Sequence, residues 1–296
     1  MTTQAIPRRR RRPGGPYPLW FYLPGAVVYG VLFLAPTFAS FYFSLTRWSI
    51  FDHSFIGFDN FVQFFQEPAL VKGFTNTFVY AVVTSVSKVV LGFGLAVLLT
   101  SRIVARGYLR SVVFFPVLVS TIGVGLTFTV LMNPDTGLIN RSLALLGVEG
   151  PGWLTDPSLA LLSVAMVDVW KGVGLATLIY IAGIVSIPQE YFEAARVDGA
   201  GSMGVLRHVM IPLARPATVT VIILSLIGGL RSFDLVWAMT RGGPGFTSDV
   251  TASVIYKQYQ AGFYGLSTAG NVVLFVVVTA IVVPLFWFLN RKEVER

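Results

Sequence analysis

The sequence predicts an all-α integral membrane protein, a bundle of six transmembrane helices with one helical element projecting into the cytoplasm. Three observations carry this. Of the 296 residues, 54% are hydrophobic and only 12% charged, with a mean hydropathy of +0.72, against about 25% charged in an average soluble domain. Six stretches are apolar over the roughly 20 residues that a helix needs to cross a hydrocarbon core about 30 Å thick. No stretch alternates apolar and polar residues as a barrel strand does, and backbone amides in lipid must be satisfied within the segment, so each span is a helix.

The first span falls at residues 19–45, behind a basic tail at residues 1–18 that carries five consecutive arginines at 8–12. The apolar stretch after that run is too long and too aromatic for a removable export signal, so the helix is expected to be retained. The second span, 74–100, contains Lys88 with no evident partner. The third, 111–132, contains Pro116, and the sixth, 269–290, contains Pro284. Each proline removes a backbone hydrogen bond and predicts a kink. The fourth, 160–187, carries Asp168 and Lys171 three residues apart, placed to neutralise each other or to meet a solute. The fifth, 217–237, is the weakest, because Arg231 and Asp234 interrupt it and require partners. These spans divide the chain into the tail at 1–18, a first helix with its external loop at 19–73, a five-helix core at 74–290 and a second tail at 291–296.

Basic residues set the orientation. Fourteen lie in the tails and in the connections 101–110 and 188–216, against five (Arg47, Lys72, Arg141, Arg241 and Lys257) in the opposite loops. The basic side is cytoplasmic, and both termini with it. The net charge of +8 and pI near 9.9 therefore read as topology, and nucleic acid is not expected as a partner. The external connections 46–73 and 133–159 are long enough for a small folded cap. After Gly242-Gly243-Pro244-Gly245, the spacing of Val254, Ile255 and Tyr259 predicts a short amphipathic helix on the membrane surface.

Several chemistries are excluded. There is no Cys, hence no disulfide or thiolate site. His53 and His208 are too few and too distant for an evident metal site, and no cofactor is expected. HExxH, GxSxG and the phosphate-cradling GxxxxGK[ST] are absent, so the chain cannot hydrolyse ATP alone. Asn140-Arg141-Ser142 matches the glycosylation acceptor pattern, which is too common to assign a function.

The most specific segment is the connection 188–216, too long for a plain turn. Residues 189–197 have helix-forming composition with a Glu near the start, where the helix dipole favours it. Asp198-Gly199-Ala200-Gly201 breaks the helix, Ser202 is placed to cap a second one, and Pro212 and Pro216 mark the entry to the fifth span. The expected product is a helix, a sharp bend and a helix, with the small residues Ala194, Ala195, Gly199, Ala200 and Gly201 at the corner, where a partner's backbone can approach closely.

Glu193-Ala194-Ala195, three residues, Gly199, nine residues and then Val209-Met210-Ile211-Pro212 resembles the EAA signature of permease subunits of ABC importers. Val209 for Ile and Ile211 for Leu are mild departures. Phe55-Ile56-Gly57-Phe58-Asp59-Asn60-Phe61, Asn76-Thr77, Leu109-Arg110-Ser111 with Phe115-Pro116, Asn133-Pro134-Asp135-Thr136-Gly137 with Asn140, Val167-Asp168-Val169-Trp170, Ser232-Phe233-Asp234 and Thr240-Arg241-Gly242-Gly243-Pro244 are similar to the carbohydrate permeases of the maltose and glycerol-phosphate type. The resemblance covers nearly the whole chain.

It implies the type I ABC importer fold in a bacterial-type cell membrane, with Glu193, Ala194, Ala195, Asp198, Gly199 and Pro212 coupling to an ATPase. It also implies a second permease subunit, two copies of a cytoplasmic ATPase and an extracytoplasmic solute-binding protein as partners, beside membrane lipid. A solute path past Trp170, Lys171, Gly172 and Leu175 in the fourth span and Ser225, Gly229 and Ser232 in the fifth is implied as well. The small residues of the fifth span equally suit helix packing, and Trp170 equally suits an interface. A permease for a non-carbohydrate solute and a transporter independent of ATP are the alternative functions.

Overall fold

A computed structural model describes residues 19–49, 52–101 and 103–291. The arginine run at 8–12, the rest of the N-terminal tail, Arg102 and the C-terminal residues 292–296 lie outside the described residues. Four helices are each long and apolar enough to cross a membrane: α1 (Trp20–Ser44), α3 (Pro68–Thr100), α7 (Ala160–Val185) and α13 (Tyr264–Asn290). Two bent pairs raise the number to six: α4 (Arg106–Leu118) with α5 (Thr121–Leu131), and α9 (Ser202–Leu213) with α10 (Arg215–Leu230). Shorter helices fill the connections: α2 (Asp59–Gln66), α6 (Leu138–Leu145), α8 (Gln189–Val197), α11 (Asp234–Met239) and α12 (Thr251–Gln260).

Two expected spans are not single helices. The third breaks at Val119, which is extended, and Ser120, which is not helical, and its halves meet at 99°. Pro116 lies inside α4 rather than at the break. The break falls where the β-branched Val119 precedes Ser120, whose hydroxyl accepts the Gly123 N–H and so caps the new helix. The fifth span stops at Leu230, and the chain restarts as α11 at Asp234, whose carboxylate suits a helix N-terminus. Neither Arg231 nor Asp234 forms an ion pair; the described residues contain two, Lys88–Asp168 and Lys257–Asp249. The two broken segments pack on each other: Gly125 of α5 leaves no room for a Cβ, which would lie 2.6 Å from the Ala238 methyl group.

The second span is longer than its apolar stretch. Pro68 occupies the first turn, where its missing N–H costs nothing, and 33 residues make a rod of about 50 Å, which extends beyond the bilayer core. Two basic residues close helix C-termini at the end rich in arginine. Arg110 donates to the Leu99 carbonyl of α3 at 3.0 Å, and Arg215 to the Leu289 carbonyl of α13 at 2.8 Å.

At the other end of the bundle the long connections fold as expected. Thr46–Trp48 (β1) and His53–Phe55 (β2) form an antiparallel hairpin with Thr46 opposite Phe55. Buried Asn60 on α2 holds the Ser44 and Thr46 carbonyls, both at 2.8 Å. Asn140, the apparent glycosylation acceptor, is a buried brace: it donates to the Pro134 and Pro151 carbonyls and accepts Trp153 Nε1–H at 2.7 Å. Asp156 accepts the Ser158 hydroxyl and amide, which hold its carboxyl below the usual carboxylate range.

The helix α12 exists but does not lie free for the membrane surface. Val254 and Ile255 are buried, as are Thr251 and Ser253; Val254 packs with Phe64, Leu70, Leu266 and Val273 of α2, α3 and α13. The loop before it is tied to α3 by Asn76 Nδ2, which donates to the Thr247 and Asp249 carbonyls at 2.8 Å each. The fully buried Asp249 carboxylate accepts Ser253 Oγ at 2.7 Å and Lys257 Nζ at 2.6 Å. Polar groups at 249 and 253 face protein, so this turn of helix is an internal strut.

Candidate functional site

The longest interior seam lies between α3 and α7, and its composition changes along its length. At one end Tyr80 packs with Val164, Val167, Val236 and Val250. At the other, Ala96 meets Ala176, Tyr180 and Ile184. Between these apolar clusters α3 presents Thr84, Ser85 and Lys88, all buried, and α7 presents Asp168 and Gly172. Small residues allow the helices to approach: a Cβ on Gly92 would fall 2.8 Å from the Ala176 methyl group.

Lys88 Nζ donates to Asp168 Oδ2 at 2.6 Å, and the two side chains are 10% and 25% exposed. This replaces the Asp168–Lys171 pairing expected from spacing along one helix, and it supplies the partner that Lys88 lacked in the sequence. An ion pair across two helices satisfies both charges where a cation alone would cost several kcal/mol. Gly172 is part of the device, because a Cβ there would lie 2.7 Å from Lys88 Cε and 2.9 Å from its Nζ. Two hydroxyls on the same stretch of α3 are buried without a protein partner, Tyr80 and Ser85. The Tyr80 phenol lies beside the Ser232 side chain, without completing a hydrogen bond to it.

The other candidate path residues divide by surroundings. Trp170 is 43% exposed and leans on Phe128 of α5, with ring centroids 5.2 Å apart. Leu175 is exposed and Lys171 half-buried. Ser225 and Ser232 are half-buried, Ser232 in the break between α10 and α11. Gly229 is buried, its Cα side pressed on the Ala81 backbone of α3, where a Cβ would come within 2.6 Å. Tyr80 and Ser85 escaped sequence reasoning; the signal for Tyr80 was the recurrence of Asn76, Tyr80, Thr84 and Lys88 at four-residue steps in an otherwise apolar helix.

The element at 188–216 has the expected form. The helix α8 has no buried residue, carries Glu190 in its first turn and Arg196 in its last, and ends on Gly199 at φ +75°. The Ala200 amide donates back to the Ala195 carbonyl at 2.9 Å, closing the turn. Glu193 and Ala194 are exposed, Ala195 half-buried and Asp198 exposed. The next helix starts on Ser202 after an extended Gly201, and no side chain caps it, contrary to the capping role expected of Ser202. Pro212 lies within the last turn of α9, directly before the 65° bend into α10. Nothing here resembles a metal centre: among the described residues no group of three or more His, Asp or Glu side chains is arranged to hold a metal ion.

Residues 88–292, from the interior lysine to just past α13, match the family of binding-protein-dependent transport system inner membrane components. The chain belongs to this family. It is 34% identical to a probable ABC transporter permease protein, YurN, of Bacillus subtilis (strain 168), over 93% of this chain and 97% of that one. Identity to the trehalose/maltose transport system permease protein MalF of Thermococcus litoralis is 32%, over 86% of this chain and 88% of that one. In three dimensions it is similar to a chain of a bacterial ABC transporter involved in import of the acidic polysaccharide alginate, with a TM-score of 0.81 at 23% identity over 92% of this chain and 94% of that one. As a member of this permease family, the chain has the membrane-embedded six-helix fold of type I ABC importers and is a multi-pass membrane protein.

Proposed function

We propose that this permease forms half of the translocation path for a sugar or sugar-like solute in an ATP-driven importer. The observation that carries the reading is the helix α8 with its EAA sequence, joined through Gly199 to the fifth span, in a chain of this family, with no residue buried by its own fold. Two copies of a separate cytoplasmic ATPase supply the hydrolysis, and α8 docks on one of them with both chain termini on the same cytoplasmic side. A second permease completes the path and covers the first half of α1, whose apolar residues from Trp20 to Phe33 are exposed all round. An extracytoplasmic binding protein delivers the solute. A sugar is favoured by the trehalose/maltose relative and the alginate transporter, together with the pairing of an exposed Trp170 with hydrogen-bonding groups at Lys171, Ser225 and Ser232. Leu175 lines the same face as Lys171, while Gly172 and Gly229 keep the walls of the path close by admitting Lys88 and α3.

Alternating access requires a partner that binds the two states of the bundle differently; moving a 1:99 population to 99:1 takes about 5.5 kcal/mol of differential affinity. A short helix joined rigidly to two spans transmits such a bias. The test is reconstitution of the importer with Glu193→Lys or Gly199→Val. Both chains should insert in the membrane and lose binding-protein-stimulated hydrolysis and uptake; wild-type hydrolysis, uptake and ATPase retention in both variants would refute the coupling role.

A further inference from the structure

A crevice of about 250 Å³ opens between the end of α3, the start of α4 and the second half of α7, with walls that are almost wholly apolar. Val113 and Phe114 of α4 line it with Leu178 and Ile181 of α7, and Arg110, Ser111 and Thr177 supply the polar part of its wall. Arg110 gives one N–H to the Leu99 carbonyl, and its Nε is buried without a partner; neither ion pair among the described residues involves it. The guanidinium has five donors in all, so most of its capacity is uncommitted.

The surroundings add positive charge and no negative charge. Arg106 lies one turn earlier, exposed, at an N-terminus of α4 that has neither a side-chain cap nor an acidic residue in its first turn. No Asp or Glu occurs between Glu67 and Asp135. On the facing helix α7, Asp168 is engaged by Lys88, and the next acidic residue along the chain is Glu190, beyond the end of the helix. An apolar slot that ends in an unneutralised guanidinium at a helix terminus combines the two needs of one class of molecule: a chain to bury and a phosphate to pair.

We propose that this crevice binds an anionic phospholipid, with its phosphate on Arg110 and Arg106 and one acyl chain laid between Phe114 and Leu178. Arg suits the role because its planar fork pairs two phosphate oxygens at once. The bound lipid fills the notch between α4 and α7 and fixes the start of the broken third span.

The test uses the full-length chain purified in mild detergent and equilibrated with equal amounts of phosphatidylglycerol and phosphatidylcholine, with retained lipid counted by native mass spectrometry. Wild type should retain phosphatidylglycerol in preference. Arg110→Gln should lower that retention about fivefold, as expected for one basic residue at an anionic headgroup, and leave phosphatidylcholine unchanged. Because Arg110 also holds the end of α3, Leu178→Trp provides a second variant that fills the crevice from its exposed rim and leaves every basic residue in place; it should lower phosphatidylglycerol retention as well. Equal retention of both lipids by wild type overturns the proposal, as does unchanged retention in both variants. Loss in Arg110→Gln alone, or displacement of the lipid by inorganic phosphate, would reveal a simple anion site and also overturn it.

Discussion

Replacing Lys88 by methionine removes an ammonium from a 2.6 Å ion pair while keeping most of the volume of its stem. With Lys88 10% and Asp168 25% exposed, neither charge is well screened, and a buried pair broken by loss of one partner costs about 3–5 kcal/mol. The residual access of Asp168 places Lys88→Met at the lower end, about 3 kcal/mol. The double change Lys88→Met with Asp168→Leu leaves no charge to bury and should lie within about 1 kcal/mol of wild type. Lys171→Met, which touches neither member of the pair, should change stability by less than about 0.5 kcal/mol. Gly172→Ala should resemble a weakened form of Lys88→Met, since its new methyl group would displace Lys88 Cε from 2.7 Å, an overpacking cost of about 1–3 kcal/mol. The assay is a double-mutant cycle on equilibrium unfolding of the purified chain in mixed micelles. If Lys88→Met is neutral, or if Lys171→Met is the damaging change, the pairing across α3 and α7 is wrong and the pairing along α7 returns.

Three further outcomes are expected. At Gly199, with φ +75° and open space around a would-be Cβ, valine should cost about 1–2 kcal/mol of backbone strain, whereas Gly201→Ala, equally open and at negative φ, should be silent; helix content and ATPase retention check the pair. Asp249→Ala leaves Lys257 without its acceptor and Ser253 with the Val250 carbonyl alone, costing about 3 kcal/mol, and amide exchange should accelerate across residues 242–250 if that carboxylate anchors the loop; unchanged exchange would remove it from that role. On the Cys-free background, Ser202→Cys should react with an impermeant thiol reagent only in inverted vesicles and Ser142→Cys only in intact cells; the reverse pattern would invert the topology.

The six apolar stretches and the form of the 188–216 element were legible in sequence because both depend on local quantities. Hydropathy over one helix length registers burial in lipid whatever the neighbours are, and Gly199 after Glu193-Ala194-Ala195 marks a left-handed turn that few other residues adopt cheaply. The break at Ser120 was hidden because apolar composition runs through it: Val119 suits lipid as well as any helical residue does, whereas the break at Ser232 was foreshadowed by Arg231 and Asp234, which interrupt the apolar run on either side of it. The partner of Asp168 was beyond reach for a different reason. Spacing along one helix offers Lys171, three residues away, whereas Lys88 is 80 residues distant and becomes a neighbour only when Gly92 and Gly172 let α3 and α7 close on each other. The same holds for Asn60, Asn76, Asn140 and Asp249, whose bonds reach carbonyls and side chains on other elements. Sequence alone determined that the chain spans a membrane and which segment folds as an exposed helix, bend and helix between two spans, since solvent preference and turn chemistry belong to single residues. Tertiary structure decided which polar groups satisfy one another inside, because a buried charge or amide is stable only beside a complement that the packing of distant helices supplies.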